Sequence, residues 1–421
     1  MAQAEMVGMP GALVSADGTS LKASLRRADR RRRVTAFLLV LPLLAFIVIT
    51  FVMPIGDMLW RSVKNDAITD NLPHTVDAIA SWNGEGLPPE EVYAAMVQDM
   101  REGKADRSIG SVGIRLNYEM SGARSLINSS VRKAENLEPP YKESLGAAHR
   151  NWRDPEIWRI IQRESRPLTA SYYVSGLDLR YAEDGSIVRQ PDHQRIYIDL
   201  YMRTLLLSVV ITGLTLLLGF PIAFLLATLP MRYSNLLMIL VLLPFWTSLL
   251  VRTTAWIVLL QQQGVINDVL IAAGVLADEN RLQMIHNWVG TLIAMTHILL
   301  PFMVLPLYSV MKGIPPSYMR AARSLGATPW TAFWKVYVPQ TLPGVGAGGV
   351  LVFIISVGYY ITPALVGGQS GQMVSNIIAY HMQRSLNWGL GAALGSMLLA
   401  GVLILYWAYS KFFGTENVKL G

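Results

Sequence analysis

Six apolar stretches dominate this 421-residue chain and limit its fold more than any other feature. Each is apolar nearly all round, so none shows the one-sided pattern of a soluble amphipathic helix. At 1.5 Å per residue, each is long enough to cross a hydrocarbon layer of about 30 Å. With 52% hydrophobic and 15% charged residues, the chain is predicted to be an all-α integral membrane protein with six transmembrane helices. The stretches cover residues 34–56, 204–229, 236–260, 288–311, 343–366 and 389–410.

Basic residues between these stretches predict their orientation. If the N-terminus lies inside, the inner segments carry 14 Lys and Arg, whereas the short outer loops carry two, Arg281 and Arg384. Because Lys and Arg favour the cytoplasmic side, both termini are predicted to be cytoplasmic. The inner set is Lys22, Arg26, Arg27, Arg30, Arg31, Arg32, Arg33, Arg232, Lys312, Arg320, Arg323, Lys335, Lys411 and Lys419.

This pattern divides the chain into five parts. An Arg-rich start before an apolar run also occurs in signal peptides, but this run is about 20 residues long and no small-residue cleavage site follows it closely. An uncleaved first span is therefore favoured. The predicted parts are a basic cytoplasmic N-terminus (1–33), a first transmembrane helix (34–60), an outer, periplasmic segment (61–203), a transmembrane core (204–411) and a cytoplasmic tail (412–421).

The outer segment 61–203, here called the insert, is too long for a bare loop. It holds 19 Lys and Arg against 21 Asp and Glu, so its near-neutral charge argues against nucleic-acid binding. Proline, capping and turn signals in it predict a small α+β domain. The predicted elements are a helix over 88–103, a helix over 155–163 capped by Asp154, and a hairpin over 177–189 that turns at Asp184-Gly185.

The sequence offers no pattern for catalysis or metal binding. It lacks the phosphate-binding loop G-x-x-x-x-G-K-[ST], so any ATP that drives this protein must bind another subunit. The six histidines show no paired metal spacing, no Ser/His/Asp context is recognisable, and there is no cysteine. We therefore predict no enzyme activity, no cofactor and no metal.

The charged residues inside the six apolar stretches argue against one class of transporter. None of these stretches contains Asp or Glu, and proton-coupled carriers need buried carboxylates, so a secondary carrier is disfavoured. The ionisable residues inside are Arg252 and His297. Two roles are open for Arg252, lining a central pathway or bonding to backbone carbonyls. His297 is predicted to be a hydrogen-bonded packing residue.

One basic segment between two apolar stretches is predicted to dock onto a partner. Residues 318–343 read YMRAARSLGATPWTAFWKVYVPQTLP, which predicts two short helices hinged at Gly326, the second ending at Pro339. The segment carries both apolar and basic side chains and lies on the predicted cytoplasmic side. A helix–glycine–helix unit in that position has no covering partner within the chain.

This segment closely resembles the coupling loop of ABC-importer permeases, whose pattern is E-A-A-x-x-x-G-A followed by an aromatic residue and a hydrophobic-x-proline. Arg320 stands where the family usually has glutamate. Leu242–Asn267 and Tyr359–Gly368 also resemble the spermidine/putrescine-type branch of these permeases. The matching residues are Ala321, Ala322, Gly326, Ala327, Phe333 and Pro339.

The resemblance implies a type I importer fold in a bacterial inner membrane. It implies two cytoplasmic ATPase subunits, a second homologous permease subunit, a periplasmic solute-binding protein and contact with membrane lipid, but no nucleic acid. It implies a polyamine cargo. Without carboxylates in the apolar stretches, either aromatic residues recognise this cargo by cation–π contacts or recognition is left entirely to the binding protein. The candidate pathway residues are Trp246, Arg252, Trp256, Tyr359 and Tyr360.

Other functions stay open at this point. The same scaffold could carry an opine, an amino-acid-like solute or a sulfonate. A secondary carrier and a membrane anchor or sensor are the alternatives from other classes. The insert has no counterpart in the family. Its aromatic residues are predicted to form its own core, with a patch against the binding protein, made by Trp152, Trp158, Tyr172 or Tyr173, as the competing hypothesis.

Overall fold

The computed structural model describes residues 21–105, 108–182 and 184–413. The chain divides into two compact units, Met1–Trp60 and Arg61–Gly421. Residues 1–20 of the predicted N-terminal part and 414–421 of the predicted tail lie outside the described residues.

The described part of the first unit is one long helix, basic up to Arg33 and apolar after it. Its parts are α1 (Leu21–Ile47), a π-helical turn (Val48–Val52) and α2 (Met53–Arg61). Pro54 explains the wide turn, because proline has no N–H to donate and its ring clashes with the carbonyl four residues earlier. The Met53 N–H bonds instead to the Val48 carbonyl, and the helix continues. Asp29–Arg61 is long and apolar enough to cross a membrane, as predicted for the first span.

The insert is mostly helical in its described part. The predicted helix over 88–103 and the predicted hairpin are confirmed, but an α+β class is not, because the strands are confined to that hairpin. The helices are α3 (Asp66–Thr69), α4 (Pro73–Ile79), α5 (Glu90–Ala105), α6 (Gly110–Glu119), α7 (Ala123–Lys133), α8 (Tyr141–Ala148), α9 (Pro155–Glu164) and α10 (Ser171–Gly176). The strands are β1 (Leu179–Tyr181) and β2 (Ile187–Arg189), which pair antiparallel.

Helix α9 begins where the capping residue and the proline predicted it. The Asp154 carboxylate accepts a hydrogen bond from the Glu156 N–H at 2.9 Å and so caps the helix. Pro155 occupies the first turn, where a missing N–H costs nothing. The apolar face of α9 then packs Trp158 and Ile161 into the insert's interior, where both are fully buried.

Aromatic side chains form the core of the insert. Trp152 and Trp158 are fully buried with ring centroids 5.0 Å apart, and Tyr93 lies 4.5 Å from Trp158. The Trp152 indole N–H donates to the Ser130 hydroxyl at 2.8 Å, so burial leaves this donor satisfied. The core interpretation is confirmed for Trp152 and Trp158, whereas Tyr172 and Tyr173 pack in a second cluster with Leu390 and Leu394. The competing patch hypothesis is wrong for Trp152, Trp158 and Tyr172, because buried rings have no surface for a partner.

The start of the insert meets residues 164–171 at a buried ionic cluster. The Asn65 N–H donates to the Pro167 carbonyl at 3.0 Å, which closes the insert at its base. Next to this contact, the fully buried Glu164 carboxylate accepts from Arg115 at 2.5 Å and from the Ser171 hydroxyl at 2.7 Å. Arg115 is also almost fully buried. A charge pair this deep is stable only when each partner is retained.

The rest of the second unit supplies five more helical stretches that could cross a membrane, which with the first makes six by length and composition among the described residues. Its helices are α11 (Tyr197–Thr228), α12 (Met231–Trp246), α13 (Leu249–Leu260), α14 (Val265–Ala272), α15 (Trp288–Gly313), α16 (Pro316–Ser324), α17 (Pro329–Ala332), α18 (Val338–Gly358), α19 (Ile361–Val366), α20 (Val374–Gln383) and α21 (Trp388–Phe413). The five candidate spans are Tyr197–Thr228, Leu249–Ala272, Trp288–Gly313, Pro329–Gly358 and Trp388–Lys411.

Helices α11, α15 and α18 form the centre of this unit. Met303 and Leu307 of α15 are fully buried in it. Gly348 lets α18 approach closely, because a Cβ atom there would lie 2.8 Å from the Met303 sulfur and 3.2 Å from the Met303 carbonyl. Small residues commonly serve this purpose between membrane helices.

The predicted third span, 236–260, is wrong as a single helix. Helix α12 ends at Trp246 and α13 begins at Leu249, and the candidate span moves to Leu249–Ala272. Pro244 weakens the last turn of α12. The Ser248 hydroxyl then accepts from the Val251 N–H at 3.2 Å and starts a new helix.

The predicted fifth span, 343–366, is also shifted, to Pro329–Gly358. The helix ends at Gly358, and α19 follows a break at Tyr359 and Tyr360. Pro363 favours this break, because in a continuous helix its ring would meet the Tyr359 carbonyl. The carbonyls of both residues accept from side chains at the start of α20, and the Tyr360 carbonyl also accepts from the Ala364 N–H at 3.0 Å. The Ser375 hydroxyl donates to the carbonyl of Tyr359 and the Asn376 amide to that of Tyr360, each at 2.7 Å.

The insert is joined firmly to the core. The Asp178 carboxylate accepts from three N–H groups at the start of α11, at 2.8 to 3.1 Å. Tyr172 packs so closely on α21 that a Cβ at Gly389 would lie 2.4 Å from its ring. The Tyr173 hydroxyl bridges Ser62 at 2.7 Å and Ser396 at 2.8 Å. The insert and the N-terminal parts of α11 and α21 therefore form one packed body.

Candidate functional site

The predicted docking segment folds as two helices around Gly326, as expected. Gly326 has φ +92°, a conformation that favours glycine. Its N–H bonds to the Arg323 carbonyl and the Ala327 N–H bonds to the Ala322 carbonyl, each at 3.0 Å. This pair of bonds is the Schellman ending of a helix, and it terminates α16. The sequence Ser-Leu-Gly-Ala thus fixes the turn by itself.

The second helix starts at once but does not end where predicted. The Thr328 hydroxyl accepts from the Thr331 N–H at 3.2 Å and caps α17. The helix then passes through a π-helical turn, Phe333–Tyr337, into α18 without a break. The predicted end at Pro339 is wrong because the wide turn absorbs the missing N–H, as the turn before Pro54 does. The docking segment is therefore rigidly continuous with the fifth span.

Phe333 anchors the segment to the core. Its ring lies 5.6 Å from that of Phe224 and 6.3 Å from that of Phe220, both on α11, and it stacks on Tyr337 at 5.7 Å. Phe333 is half-buried. This matched residue therefore holds the segment in place and presents little surface of its own.

The outward surface of the segment is apolar and basic. Leu325 is 89% exposed and Trp330 is 71% exposed, and Trp334 is also exposed. Arg320, Ala321, Gly326 and Pro339 lie at the surface too, whereas Ala322 and Ala327 are half-buried. Large exposed apolar side chains of this kind indicate a contact with a protein or a membrane. Leu325, Trp330 and Trp334 were missed as site residues, although apolar residues within a basic, polar-flanked segment are the signal for such a surface.

The structure brings two of the five pathway candidates to one place. Arg252 and Trp256 lie one turn apart on α13, and the Trp256 indole N–H donates to His297 of α15 at 3.2 Å. A hydrogen-bonded packing role for His297 is confirmed. Arg252 donates to the Thr247 carbonyl at 3.0 Å, at the break between α12 and α13. Its Nε is buried without a hydrogen-bond partner in the described part of the chain.

The other three candidates lie at helix breaks. Trp246 ends α12 and is 87% exposed, on the far side of the break from Arg252. Tyr359 and Tyr360 form the break between α18 and α19, with Tyr359 half-buried and Tyr360 exposed. Interrupted helices free backbone groups within a membrane protein and commonly mark solute sites of transporters.

A histidine and two carboxylates meet in the insert. Ligand atoms of His74, Asp99 and Glu102 lie within 4.8 Å of one another. Helix capping accounts for this group, because Asp99 accepts from the Thr75 N–H at 2.7 Å and the Thr75 hydroxyl at 2.6 Å, at the start of α4. Its other oxygen lies 2.7 Å from His74 Nδ1, and this hydrogen bond raises the pKa of His74. The Asp99 carboxylate, the buried one of the two, therefore already accepts hydrogen bonds at both oxygens.

Comparison with known proteins assigns the transmembrane core to a protein family. Residues 198–412, half of the chain, match the family described as "Binding-protein-dependent transport system inner membrane component". The chain belongs to this family. It is a multi-pass inner-membrane component of a transport system, and the family is not one of enzymes. The match begins at residue 198, near the end of the insert, so nearly all of the insert lies outside it.

Several curated relatives carry a more particular name. The chain is 34% identical to the spermidine/putrescine transport system permease protein PotB of Haemophilus influenzae, over 52% of this chain and 78% of that protein. It is 32% identical to PotB of Escherichia coli K12, over 52% and 81%. The sulfate transport system permease CysT of E. coli is 29% identical over 30% of this chain and 46% of its own. A solved bacterial alginate ABC transporter chain is 18% identical, with a TM-score of 0.41 over 54% of this chain and 80% of its own.

Proposed function

We propose that this chain is a transmembrane subunit of an ABC importer that carries a polyamine such as spermidine or putrescine. The observation that carries the proposal is the docking segment, which matches the permease coupling loop in sequence and presents Leu325 and Trp330 outward on a rigid extension of the fifth span. The polyamine cargo is supported by the names of the PotB relatives. Inner-membrane lipid surrounds the six spans.

The assembly follows from the coupling loop. Two cytoplasmic ATPase subunits bind ATP, one against the segment 318–343 of this chain and one against that of a second, homologous permease subunit. ATP binding moves the segment, and α18 transmits the movement because it is continuous with α17. The two permease subunits then alternate between outward-open and inward-open states. A periplasmic binding protein delivers the solute.

The orientation is part of the proposal. Fourteen Lys and Arg in the inner segments against two outside support cytoplasmic termini and a cytoplasmic docking segment. The insert is then periplasmic, in the five-part organisation stated above. As the insert packs on the outer ends of α11 and α21, it lies beside the mouth of the pathway.

The pathway itself is proposed to run past Trp246, Arg252, Trp256, Tyr359 and Tyr360. The aromatic faces are the groups proposed to attract a cation, because the apolar stretches predicted from the sequence hold no Asp or Glu and Asp268 of the shifted third span is paired with Arg281 at 2.8 Å. Arg252 sets an opposing positive charge at the α12–α13 break. We infer that the pair of broken helices, rather than a carboxylate, forms the solute passage.

Uptake by whole cells tests the cargo. In a bacterium without polyamine import, this chain expressed with its ATPase, second permease and binding protein should restore uptake of labelled spermidine. Omission of this chain alone should abolish that uptake, and excess putrescine but not sulfate should compete. Assembly of all four components without polyamine uptake, or uptake of sulfate instead, would refute the proposed cargo.

Arg252 offers a separate test of the pathway. Arg252→Ala should lower uptake by about fivefold or more, the equivalent of roughly 1 kcal/mol, while the amount of protein in the membrane stays unchanged. Arg232→Ala, which removes a charge from the inner loop, serves as the control and should have little effect. If the amount of Arg252→Ala protein falls in proportion to uptake, Arg252 only stabilises the helix break at Thr247.

A further inference from the structure

The first helix carries a dense group of arginines at the point where its apolar part begins. Residues 21–33 of α1 hold seven Lys and Arg and one acidic residue, Asp29. Four of the basic residues are consecutive, Arg30 to Arg33, and Val34 follows them directly as the first residue of the apolar run. Asp29 offsets one of these four charges, which leaves a net charge of +3 over residues 29–33.

These four residues, here called the arginine collar, surround the helix. All four are exposed, and none of their guanidinium groups has a hydrogen bond or ion pair with another described residue. Successive residues of an α-helix are about 100° apart, so Arg30 and Arg33 share one face while Arg31 and Arg32 lie on the other sides. At 1.5 Å per residue, the four Cα atoms lie within a layer about 5 Å deep. The positive charge therefore encircles the helix in one thin layer.

The other end of the same helix carries an exposed tryptophan, Trp60. At 1.5 Å per residue, Trp60 lies about 40 Å from Arg33 along the helix axis. A bilayer measured with its headgroup layers is about 40–45 Å thick, and tryptophan is enriched at the headgroup level of membrane-spanning helices. The arginine collar and Trp60 therefore fit the two headgroup layers of one bilayer.

We propose that the arginine collar binds the phosphate groups of anionic lipids in the adjoining headgroup layer. A guanidinium binds a phosphate through two parallel hydrogen bonds, and its apolar stem lets it reach the headgroups from the edge of the apolar run. Basic residues immediately outside a membrane span attract anionic lipid. Lipids surround a helix on all sides, as the collar does, whereas a nucleic acid or an acidic protein would contact one face of it.

Contact quenching on the full-length chain measures this lipid preference. The chain has no native cysteine, so Ala36→Cys, which is exposed and one turn inside the collar, carries a single fluorophore. Vesicles of phosphatidylcholine and phosphatidylglycerol are prepared with brominated acyl chains on one lipid or the other, because bromine quenches only a fluorophore that it contacts. An otherwise wild-type chain should select phosphatidylglycerol by about threefold or more at low salt, and this preference should weaken as salt rises.

Two double variants test whether the whole collar contacts lipid. Arg30→Gln/Arg33→Gln removes the charge of one face, and Arg31→Gln/Arg32→Gln removes that of the other sides. Each should lower the preference for phosphatidylglycerol to a similar extent, because each removes two of four charges that face lipid. The variant Arg30→Lys/Arg31→Lys/Arg32→Lys/Arg33→Lys keeps the charge and should keep most of the preference. A loss confined to one double variant would mean a one-sided partner and would overturn the proposal.

The matched control removes the same charge from the insert. Arg124→Gln/Arg132→Gln changes two exposed arginines of α7 and should keep the preference of the unaltered collar. An equal loss in this control, or no preference for phosphatidylglycerol before any arginine is changed, would overturn the proposal. Inorganic phosphate or a DNA oligonucleotide, each at matched ionic strength, should not release the lipid. Release by phosphate would mean a site for free anions, and release by DNA would mean a nucleic-acid surface, so either result would also overturn it. None of these measurements requires the ATPase, the binding protein or a cargo.

Discussion

Gly326→Asp should abolish most uptake while the protein still inserts and assembles. With φ +92°, the position strains any residue that has a Cβ, at a cost of about 1–2 kcal/mol. The Schellman bonds that end α16 depend on this conformation, so the exposed Leu325 shifts relative to Trp330. The new carboxylate also enters an apolar and basic contact surface. We expect ATP hydrolysis to continue without transport, with uptake lowered by about tenfold or more, equivalent to ~1.4 kcal/mol of lost coupling.

A second glycine provides the matched control. Gly274 follows α14, has φ +72° and, like Gly326, would place a Cβ in open space. Gly274→Asp therefore introduces the same residue and a comparable backbone strain at a distance from the docking segment. Its uptake should stay close to wild type. If both variants lose uptake equally, strain rather than docking is the cause, and if neither does, the segment does not couple to an ATPase.

Local chemistry was sufficient to predict some of this structure. The turn at Gly326, the cap at Asp154 and the hairpin at Asp184-Gly185 each depend on one or two residues and their immediate neighbours, so the sequence alone indicates them. The six spans are predicted for a similar reason, because a bilayer selects for length and apolarity without reference to partners.

The helix breaks could not be predicted in the same way. Pro244 and Pro339 both follow apolar residues within long helical stretches, yet the helix ends after the first and continues past the second. The difference is set by the surroundings: Ser248 caps a new helix in one case and a π-helical turn removes the conflict in the other. Likewise, the break at Tyr359 is stabilised by Ser375, sixteen residues later. A proline in the sequence therefore predicts a helix end only weakly, because contacts with distant residues determine whether the helix stops or continues.

The base of the insert was also beyond prediction, because its members are far apart in the sequence. Asn65, Arg115 and Glu164 meet only in the folded insert, and each alone resembles a solvated polar residue. The structure shows that the five hydrogen-bond donors around Glu164 satisfy both of its oxygens. They are Arg115, Arg163, Asn65, Thr169 and Ser171.

This cluster leads to the prediction with the largest expected effect on stability. Glu164→Ala leaves the buried Arg115 charge without its main partner and should destabilise the insert by about 3–5 kcal/mol. Hydrogen exchange on the full-length protein in nanodiscs should then show loss of protection in α5 and α9, which form the core around Trp158. The exposed pair Lys104–Glu135 supplies the control, since its 2.8 Å distance is similar but it lies in solvent. Glu135→Ala should leave exchange unchanged.

The pH dependence follows from the same cluster. Burial alone would raise the pKa of Glu164, but Arg115, Ser171 and Arg163 lower it below its usual value, so the folded insert favours the carboxylate. The stability that Glu164 contributes is therefore fully present above the pKa of about 4.5 in the unfolded chain, and is lost as pH falls through the lower folded value. Protection in α9 should fall with acidification in wild type and show less of this dependence in Glu164→Gln. An insert whose exchange is equally acid-sensitive in both proteins would mean that another group governs its acid unfolding, and that the Arg115–Glu164 pair is not its main stabilising contact.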